Sequence, residues 1–332
     1  MVKYSKNRYP GEMRMKIVIL ERNSVGLDVS VDRLKSLGDT TVYPNTTAAD
    51  VKEKVKDAEI IVANKAPLNK DTLKDAGNVK LICEFATGYD NIDLDYCKER
   101  GIRVANVVNY STDAVAQHTF ALCFYVLEKL RHYDEYVKSG AYGAQDRFSN
   151  FDIPFTELAG KTWGIVGMGN IGRKVASIAK AFGCKVIFYS ASGSSTCTEY
   201  ERVDFDTLLE ESDFLSLHCP LSDRTRNLIN LDALKKMKKS AILINVARGP
   251  VVNDEDLYTA LTEDYIAGAG LDVLGAEPIK ESNPLGKIKD SSKLIITPHL
   301  AWASIEARTR CVSEVCKNIE AFLNGESRNI VN

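Results

Sequence analysis

The chain has 332 residues, 45% of them hydrophobic and 27% charged, with a formal net charge of −2. That length suits two domains with ample core. A near-neutral balance without a basic, aromatic-interleaved stripe points away from nucleic acid, and no apolar run approaches the roughly 18 residues of a membrane span, so no membrane is expected.

The first fourteen residues (MVKYSKNRYPGEMR) are polar. They are expected to be a disordered extension, or the native start lies at Met13 or Met15. No secretory leader is expected. From Met15 to Val107 the pattern alternates. Strand-like runs at Lys16–Leu20, Thr40–Tyr43, Glu59–Asn64, Val79–Phe85 and Ile102–Val107 enclose helix-like segments at Val31–Leu37, Ala48–Val55 and Asp71–Ala76. Val- and Ile-rich strands between helices imply a parallel sheet covered on both faces. This first α/β unit lacks a glycine fingerprint for phosphate. Ser111 or Thr112 then caps a long, largely apolar helix from Asp113 to about Leu130, expected to pass between domains. A polar loop follows, 138–154.

The stretch TWGIVGMGNIGRKVASIAKAFG (162–183) comes next. A short apolar run leads into Gly167, Gly169 and Gly172, and then into a helix with Ile171, Val175, Ile178 and Phe182 on one face. Gly167 permits a tight turn, Gly169 lets backbone approach phosphates, and Gly172 lets helix pack on strand. With its strand and helix in place, this reads as a dinucleotide fingerprint. The alternation resumes with strands near Lys185–Tyr189, Asp213–His218, Ala241–Val246, Ile266–Asp272 and Lys293–Thr297. Helices are read near Phe205–Glu211, Leu231–Lys238 and Asp254–Leu261. Six parallel strands with crossovers make a dinucleotide-binding domain. The Lys235–Lys239 run reads as a solvated helix end. A last helix, Ser304 to about Leu323, is expected to return to the first unit. The domains are therefore read as 1–109 with 300–332, and 110–299.

The eight cysteines (83, 97, 123, 184, 197, 219, 311 and 316) form no C-x-x-C pair. They read as reduced thiols of a cytoplasmic protein, with neither disulfides nor a metal site.

Ligands of open parallel sheets bind beyond the carboxyl ends of the strands. Three ionisable residues stand there: Arg248 in LINVARGP, Glu277 in LDVLGAEP and His299 in ITPHLAW. Hydride transfer to a ketone needs a proton donor, and histidine titrates in the right range. A neighbouring carboxylate would orient the ring and favour its protonated form. An arginine can hold a carboxylate bidentately while polarising the adjacent carbonyl. Together they describe reduction of a 2-keto acid. Among the other histidines, His118 reads as packed or capping, His132 as structural after a helix end, and His218 as a non-reacting lining of the cofactor crevice.

These segments resemble the D-2-hydroxyacid dehydrogenase family, through ATGYDNID (86–93), NYSTDAVAQHTF (109–120), GIVGMGNIG (164–172), LINVARGPVVNDEDL (243–257), GAGLDVLGAEP (268–278) and TPHLAWASIEAR (297–308). The resemblance implies two doubly wound domains, a flavodoxin-like substrate domain and a Rossmann domain. It implies Arg248, Glu277 and His299 as the catalytic set. Thr87 and Gly88 would hold the substrate carboxylate through backbone N–H groups, with Arg248 and His299 also on the substrate. It implies cofactor contacts at Thr112, Asn170, Ile171, Ser190, Cys219, Pro220, Thr225, Val246, Ala247, Arg248 and Asp272, beside the three glycines. It further implies a homodimer with the long helix in the contact. The motifs look most like the glycerate dehydrogenase (hydroxypyruvate reductase) branch, hence a small 2-keto acid. A phosphoglycerate dehydrogenase with a regulatory tail fits less well, because the chain stops soon after the last helix. A formate dehydrogenase fits less well because Glu277 stands where that branch has glutamine. The alternative is a cofactor-sensing binding module resembling the transcriptional corepressors.

One position departs from the pattern. Ser190 stands where an acid would hold the adenosine ribose hydroxyls, and Ser192, Ser194, Ser195 and Thr196 follow. Without the carboxylate, repulsion of a 2′-phosphate is gone, yet no arginine sits in that loop. NAD(H) and NADP(H) both remain open, and the expectation is relaxed, NADPH-tolerant specificity.

Overall fold

The computed structural model describes residues 14–332. The proposed N-terminal extension falls, but for Arg14, outside them. The chain divides into two compact units, one formed by the chain up to Ser111 together with Ala303–Asn332, the other by Thr112–Trp302.

The first unit alternates β1 (Lys16–Ile19), α1 (Asp32–Ser36), β2 (Asp39–Val42), α2 (Val51–Val55), β3 (Ile60–Ala63), α3 (Lys70–Leu73), β4 (Leu81–Glu84), α4 (Leu94–Glu99) and β5 (Arg103–Ala105). Its sheet is parallel with order β2-β1-β3-β4-β5, the flavodoxin-like order. Val18, Leu20, Ile61, Ile82 and Val104 bury one face of the sheet in a common core. The helix α4 has no counterpart in the sequence reading. Only Cys97 of its six residues is buried, so there was no apolar period to see; its cap, Asp93 accepting from the Tyr96 amide, was the available signal.

The order reverses between β1 and β3, where such sheets bind ligands. Here the chain fills that place itself. The Glu21 carboxylate accepts from the amides of Asn64, Lys65 and Ala66 at 2.8, 2.9 and 2.9 Å. Three consecutive N–H groups form an anion nest occupied from within.

The second unit contains α5 (Thr112–Leu127), α6 (Leu130–Lys138), α7 (Ala141–Ala144), β6 (Thr162–Val166), α8 (Asn170–Ala181), β7 (Lys185–Tyr189), β8 (Glu201–Arg202), α9 (Phe205–Glu211), β9 (Phe214–Leu217), α10 (Leu231–Lys236), β10 (Ile242–Asn245), α11 (Asp254–Thr262), β11 (Gly268–Leu271) and β12 (Leu294–Ile296). The sheet has seven strands, not six, in the order β12-β11-β10-β9-β6-β7-β8. The added strand, β8, is two exposed, charged residues paired to Ile187 and Phe188, with no apolar run to betray it. It completes the Rossmann order, and the strand order reverses between the parallel neighbours β6 and β9.

The long helix is shorter than expected. α5 ends at Leu127, Lys129 turns left-handed at φ 54, and α6 begins at Leu130. The Lys129 ammonium, bonded to the Ser292 carbonyl at 2.9 Å, pins the break. His132 therefore lies in the first turn of α6 rather than on the last carbonyls of a helix. α5 packs on its own unit's sheet. Phe120 meets the ring of fully buried Trp163 at 4.6 Å, and Trp163 stacks on Phe214 at 5.3 Å.

The final helix, α12 (Ile305–Leu323), belongs to the first unit. Its N-cap Ser304 accepts from the Ala307 amide, and Cys311, Val315, Cys316 and Ile319 are buried. All eight cysteines are unpaired and buried. Among the described residues no helix is long and apolar enough to cross a membrane, and no three His, Cys, Asp or Glu side chains group to hold a metal ion.

Candidate active site

The glycine turn lies at the switch point of the second sheet. Gly167 follows β6 at φ 94, and a Cβ there would meet the backbone of His218 and Cys219 at 2.9 Å. At Gly172 a Cβ would meet the Gly167 carbonyl oxygen at 2.2 Å, so α8 packs directly on the turn. At Gly169 a Cβ would meet nothing within 4 Å. The protein itself does not require that glycine, which is what a position left open for a ligand looks like. Gly169 is the N-cap of α8 and makes no side-chain cap, and the first turn carries no acid. A helix N-terminus left in this state suits a pyrophosphate.

Around the turn, His218 is held with Nε2 3.0 Å from Ser216 Oγ, which also accepts from Trp163 Nε1. Its Nδ1 is buried without a partner among the described residues, and burial lowers its pKa to about 3. Burial thus favours the neutral form of His218. Cys219 is buried and its thiol is pushed up to about 11 by that burial. Thr225 is equally buried. Its hydroxyl bonds the Pro220 carbonyl at 2.8 Å and accepts from the Ser222 amide, so it shapes the loop after β9. Thr112 opens α5, and Ser190 is a buried residue just past β7.

The loop after β10 is built on Asn245, a fully buried residue the sequence reading passed over. Its side chain accepts from the Ala247 amide and donates to the Arg248 carbonyl, both at 3.0 Å. This staples Val246, Ala247 and Arg248 into one turn. The Arg248 guanidinium is half-buried and donates to the Ala247 carbonyl at 2.9 Å. Gly249 follows because nothing larger fits: a Cβ would lie 1.8 Å from the Leu274 carbonyl oxygen. The loops after β10 and β11 therefore touch backbone to backbone. Asp254 braces the second of them, accepting from the Gly275 amide and from Asn283 Nδ2.

Glu277 sits in that second loop, with Oε1 accepting from the Leu274 amide at 3.1 Å and Oε2 2.6 Å from His299 Nδ1. Both side chains are about one-third exposed, 27% for His299 and 34% for Glu277. With Nδ1 committed to the carboxylate, Nε2 is the nitrogen left to serve a reacting atom. His299 itself stands at φ 52, a left-handed conformation uncommon for any residue but glycine. Asp272 holds it there. The Asp272 carbonyl accepts from the His299 amide at 2.9 Å, and its carboxylate accepts from the Leu300 and Ala301 amides at 2.8 Å each and from Thr297 Oγ1 at 2.6 Å. Asp272 is 1% exposed, so its carboxylate orders the histidine loop whatever else it contacts. His118 joins this network through Nε2, 2.9 Å from Thr297 Oγ1, and burial lowers its pKa despite the nearby Asp272. No spacing in the sequence signals that bond. Trp302 Nε1 closes the loop on the His299 carbonyl at 3.0 Å.

In the first unit, the Thr87 hydroxyl donates to the Val107 carbonyl at 2.7 Å, and Asn106 Nδ2 donates to the Thr87 carbonyl. The N–H groups of Thr87 and Gly88 donate to nothing among the described residues. Beneath this segment lies Glu84, at the end of β4 and also unforeseen. It is fully buried with neither carboxyl oxygen partnered, and burial raises its pKa well above the usual carboxylate range.

Residues 120–301 match the model of the D-isomer specific 2-hydroxyacid dehydrogenase NAD-binding domain. The chain belongs to this family. It is an oxidoreductase that works with a nicotinamide dinucleotide, and the open Gly169, the uncapped α8 and the orphaned His218 nitrogen fit such a group. A hydroxypyruvate reductase of Blautia hydrogenotrophica is 37% identical over 96% of this chain and 100% of its own. A glycerate dehydrogenase of Methylorubrum extorquens is 39% identical over 96% and 99%. Among solved structures, an NADPH-dependent glyoxylate/hydroxypyruvate reductase from Sinorhizobium meliloti, in complex with NADP and malonate, superposes with a TM-score of 0.83. It is 26% identical over 96% of this chain and 97% of that one.

Proposed function

We propose that the chain reduces a short 2-keto acid of the hydroxypyruvate or glyoxylate type to the D-2-hydroxy acid, with His299 as proton donor. The observation that carries this reading is the 2.6 Å pair between His299 Nδ1 and Glu277 Oε2, built onto two loops that Gly249 locks together. The names of the related reductases and dehydrogenases support the substrate class. A bound nicotinamide supplies the hydride to the carbonyl carbon. The chain supplies the rest. His299 Nε2–H gives its proton to the carbonyl oxygen, while Glu277 steadies the imidazolium that starts the step. Arg248 offers a planar fork to the carboxylate and the adjacent carbonyl oxygen. The N–H groups of Thr87 and Gly88 are the proposed receivers of the substrate carboxylate, a role their lack of other partners supports.

The cofactor site is proposed to tolerate NADPH, on the ground that Ser190 puts no carboxylate against a 2′-phosphate. A ratio of kcat/KM for NADH over NADPH above about a thousand contradicts this. We also propose a homodimer in the cytosol. Supporting the dimer, Phe148, Phe151 and Phe155 are 88%, 71% and 57% exposed in the segment after α7, apolar rings that a second copy would cover. Sedimentation at micromolar concentration tests it. The eight unpaired thiols support the compartment.

The function is tested by NAD(P)H oxidation with hydroxypyruvate, glyoxylate, pyruvate and bulkier 2-keto acids. Turnover with the two smallest is expected; turnover with none contradicts the reading.

A further inference from the structure

The turn after β7 carries Ser190, Ser192, Ser194, Ser195 and Thr196 and no carboxylate. Read along the chain it also lacks a cation. The fold brings two. Arg202 lies in the edge strand β8, paired beside Phe188 of β7, and its Nη1 donates to the Gly193 carbonyl at 3.1 Å. Arg224, in the loop after β9, directs Nη1 to the Ser192 carbonyl at 3.4 Å. The turn is drawn tight by the Gly193 amide on the Ser190 carbonyl at 3.0 Å, and it sets the Ser192 and Ser194 hydroxyls 2.7 Å apart.

Both guanidinium groups are exposed, and among the described residues neither has a carboxylate within 4.0 Å. Each spends one N–H on a weak carbonyl contact and keeps the rest of its fork unspent. Two unneutralised cations flanking a cluster of hydroxyls form a receptor for a dianion with several acceptor oxygens, a phosphate monoester. A surface arginine that merely anchors a turn needs no second arginine on the same turn. Position decides which phosphate. The turn sits at the end of the strand that follows the glycine motif, where the adenosine ribose of a dinucleotide is received.

We infer that Arg202 and Arg224, with the Ser190–Ser194 turn, form a 2′-phosphate subsite that makes this chain prefer NADPH to NADH. The inference rests on the nucleotide reading of the second unit and goes beyond tolerance, since it names residues that attract the phosphate rather than one that fails to repel it.

The experiment measures binding of adenosine 2′,5′-bisphosphate and of 5′-AMP by calorimetry, for the full chain and for Arg202→Ala, Arg224→Ala and the double variant. The wild type is expected to bind the bisphosphate at least about tenfold more tightly. Each single variant should shrink that gap severalfold, and the double variant should abolish it, with 5′-AMP affinity and thermal midpoint unchanged. Arg224→Lys should restore part of it. The NADPH-to-NADH ratio of kcat/KM should fall in step. A double variant that keeps the bisphosphate preference overturns the inference, as does a wild type that binds NADH but shows no preference. A chain that binds neither adenine nucleotide overturns the nucleotide reading beneath it.

Discussion

His299 and Glu277 meet Nδ1 to Oε2 at 2.6 Å, and the same carboxylate reaches back through Oε1 to the Leu274 amide. The proton donor of the proposed reaction is therefore fixed to the loop after β11, which is in turn locked to the Arg248 loop. Orientation of the ring is set by a carboxylate that is itself held.

Glu277→Gln keeps the shape and removes the charge, and it presents an amide NH2 to one of the two partners. It is expected to lower kcat by about ten- to a thousandfold while KM changes much less. Steady-state kinetics with hydroxypyruvate check this; an unchanged kcat means that Glu277 does not act through His299.

Arg248→Lys replaces a planar fork with a point charge. On the proposed role, kcat/KM for the keto acid should fall by about a hundredfold or more, with dinucleotide affinity little changed. A loss confined to dinucleotide binding would assign Arg248 to the cofactor alone.

Gly249→Ala places a methyl group where the Leu274 carbonyl now lies, 1.8 Å from its oxygen and 2.0 Å from its carbon. Backbone must move, at a cost of about 1–3 kcal/mol. The expected outcome is a Tm lower by several degrees, measured by thermal denaturation, and a reduced kcat because the two loops part. Asn253, which only caps α11, is the control position.

Glu84 gives a pH dependence. Its folded-state pKa is raised, chiefly by burial, with the nearby Glu21 acting in the same direction. Its contribution to stability is fully present below the ordinary carboxylate value of 4.5 and is lost as pH rises from there toward the raised folded value. The loss runs at up to about 1.4 kcal/mol per pH unit within that window. Glu84→Gln cannot ionise, so its urea midpoint should gain on the wild type as pH increases from 4.5. Parallel pH curves for the two proteins would show that Glu84 gives up its proton as readily in the folded chain as in the unfolded one, and would contradict this.

Most of the frame was legible because parallel strands buried on both faces read as runs of Val and Ile, and the helices between them carry caps and apolar faces. The glycine turn, Arg248, Glu277 and His299 were legible because strand ends are where such sheets place chemistry. What escaped had no run or period of apolar residues to mark it. β8 is two charged residues recognisable only by what they pair with, and α4 buries a single cysteine. Asn245 acts within its own turn, on residues two and three positions away, and carries no apolar pattern that would mark it, whereas Asp254 and the His118–Thr297 bond act across loops distant in sequence. Arg202 and Arg224 lie 12 and 34 residues beyond Ser190, so only the fold shows them on one turn.

The most direct test is turnover of hydroxypyruvate in His299→Asn beside the wild type, with NADPH affinity followed by nucleotide fluorescence. The variant is expected to keep the wild-type affinity for NADPH and to lose about a hundred- to ten-thousandfold in kcat. A variant that binds NADPH and turns over hydroxypyruvate within about threefold of the wild type would contradict it, because no proton donor could then reside at His299.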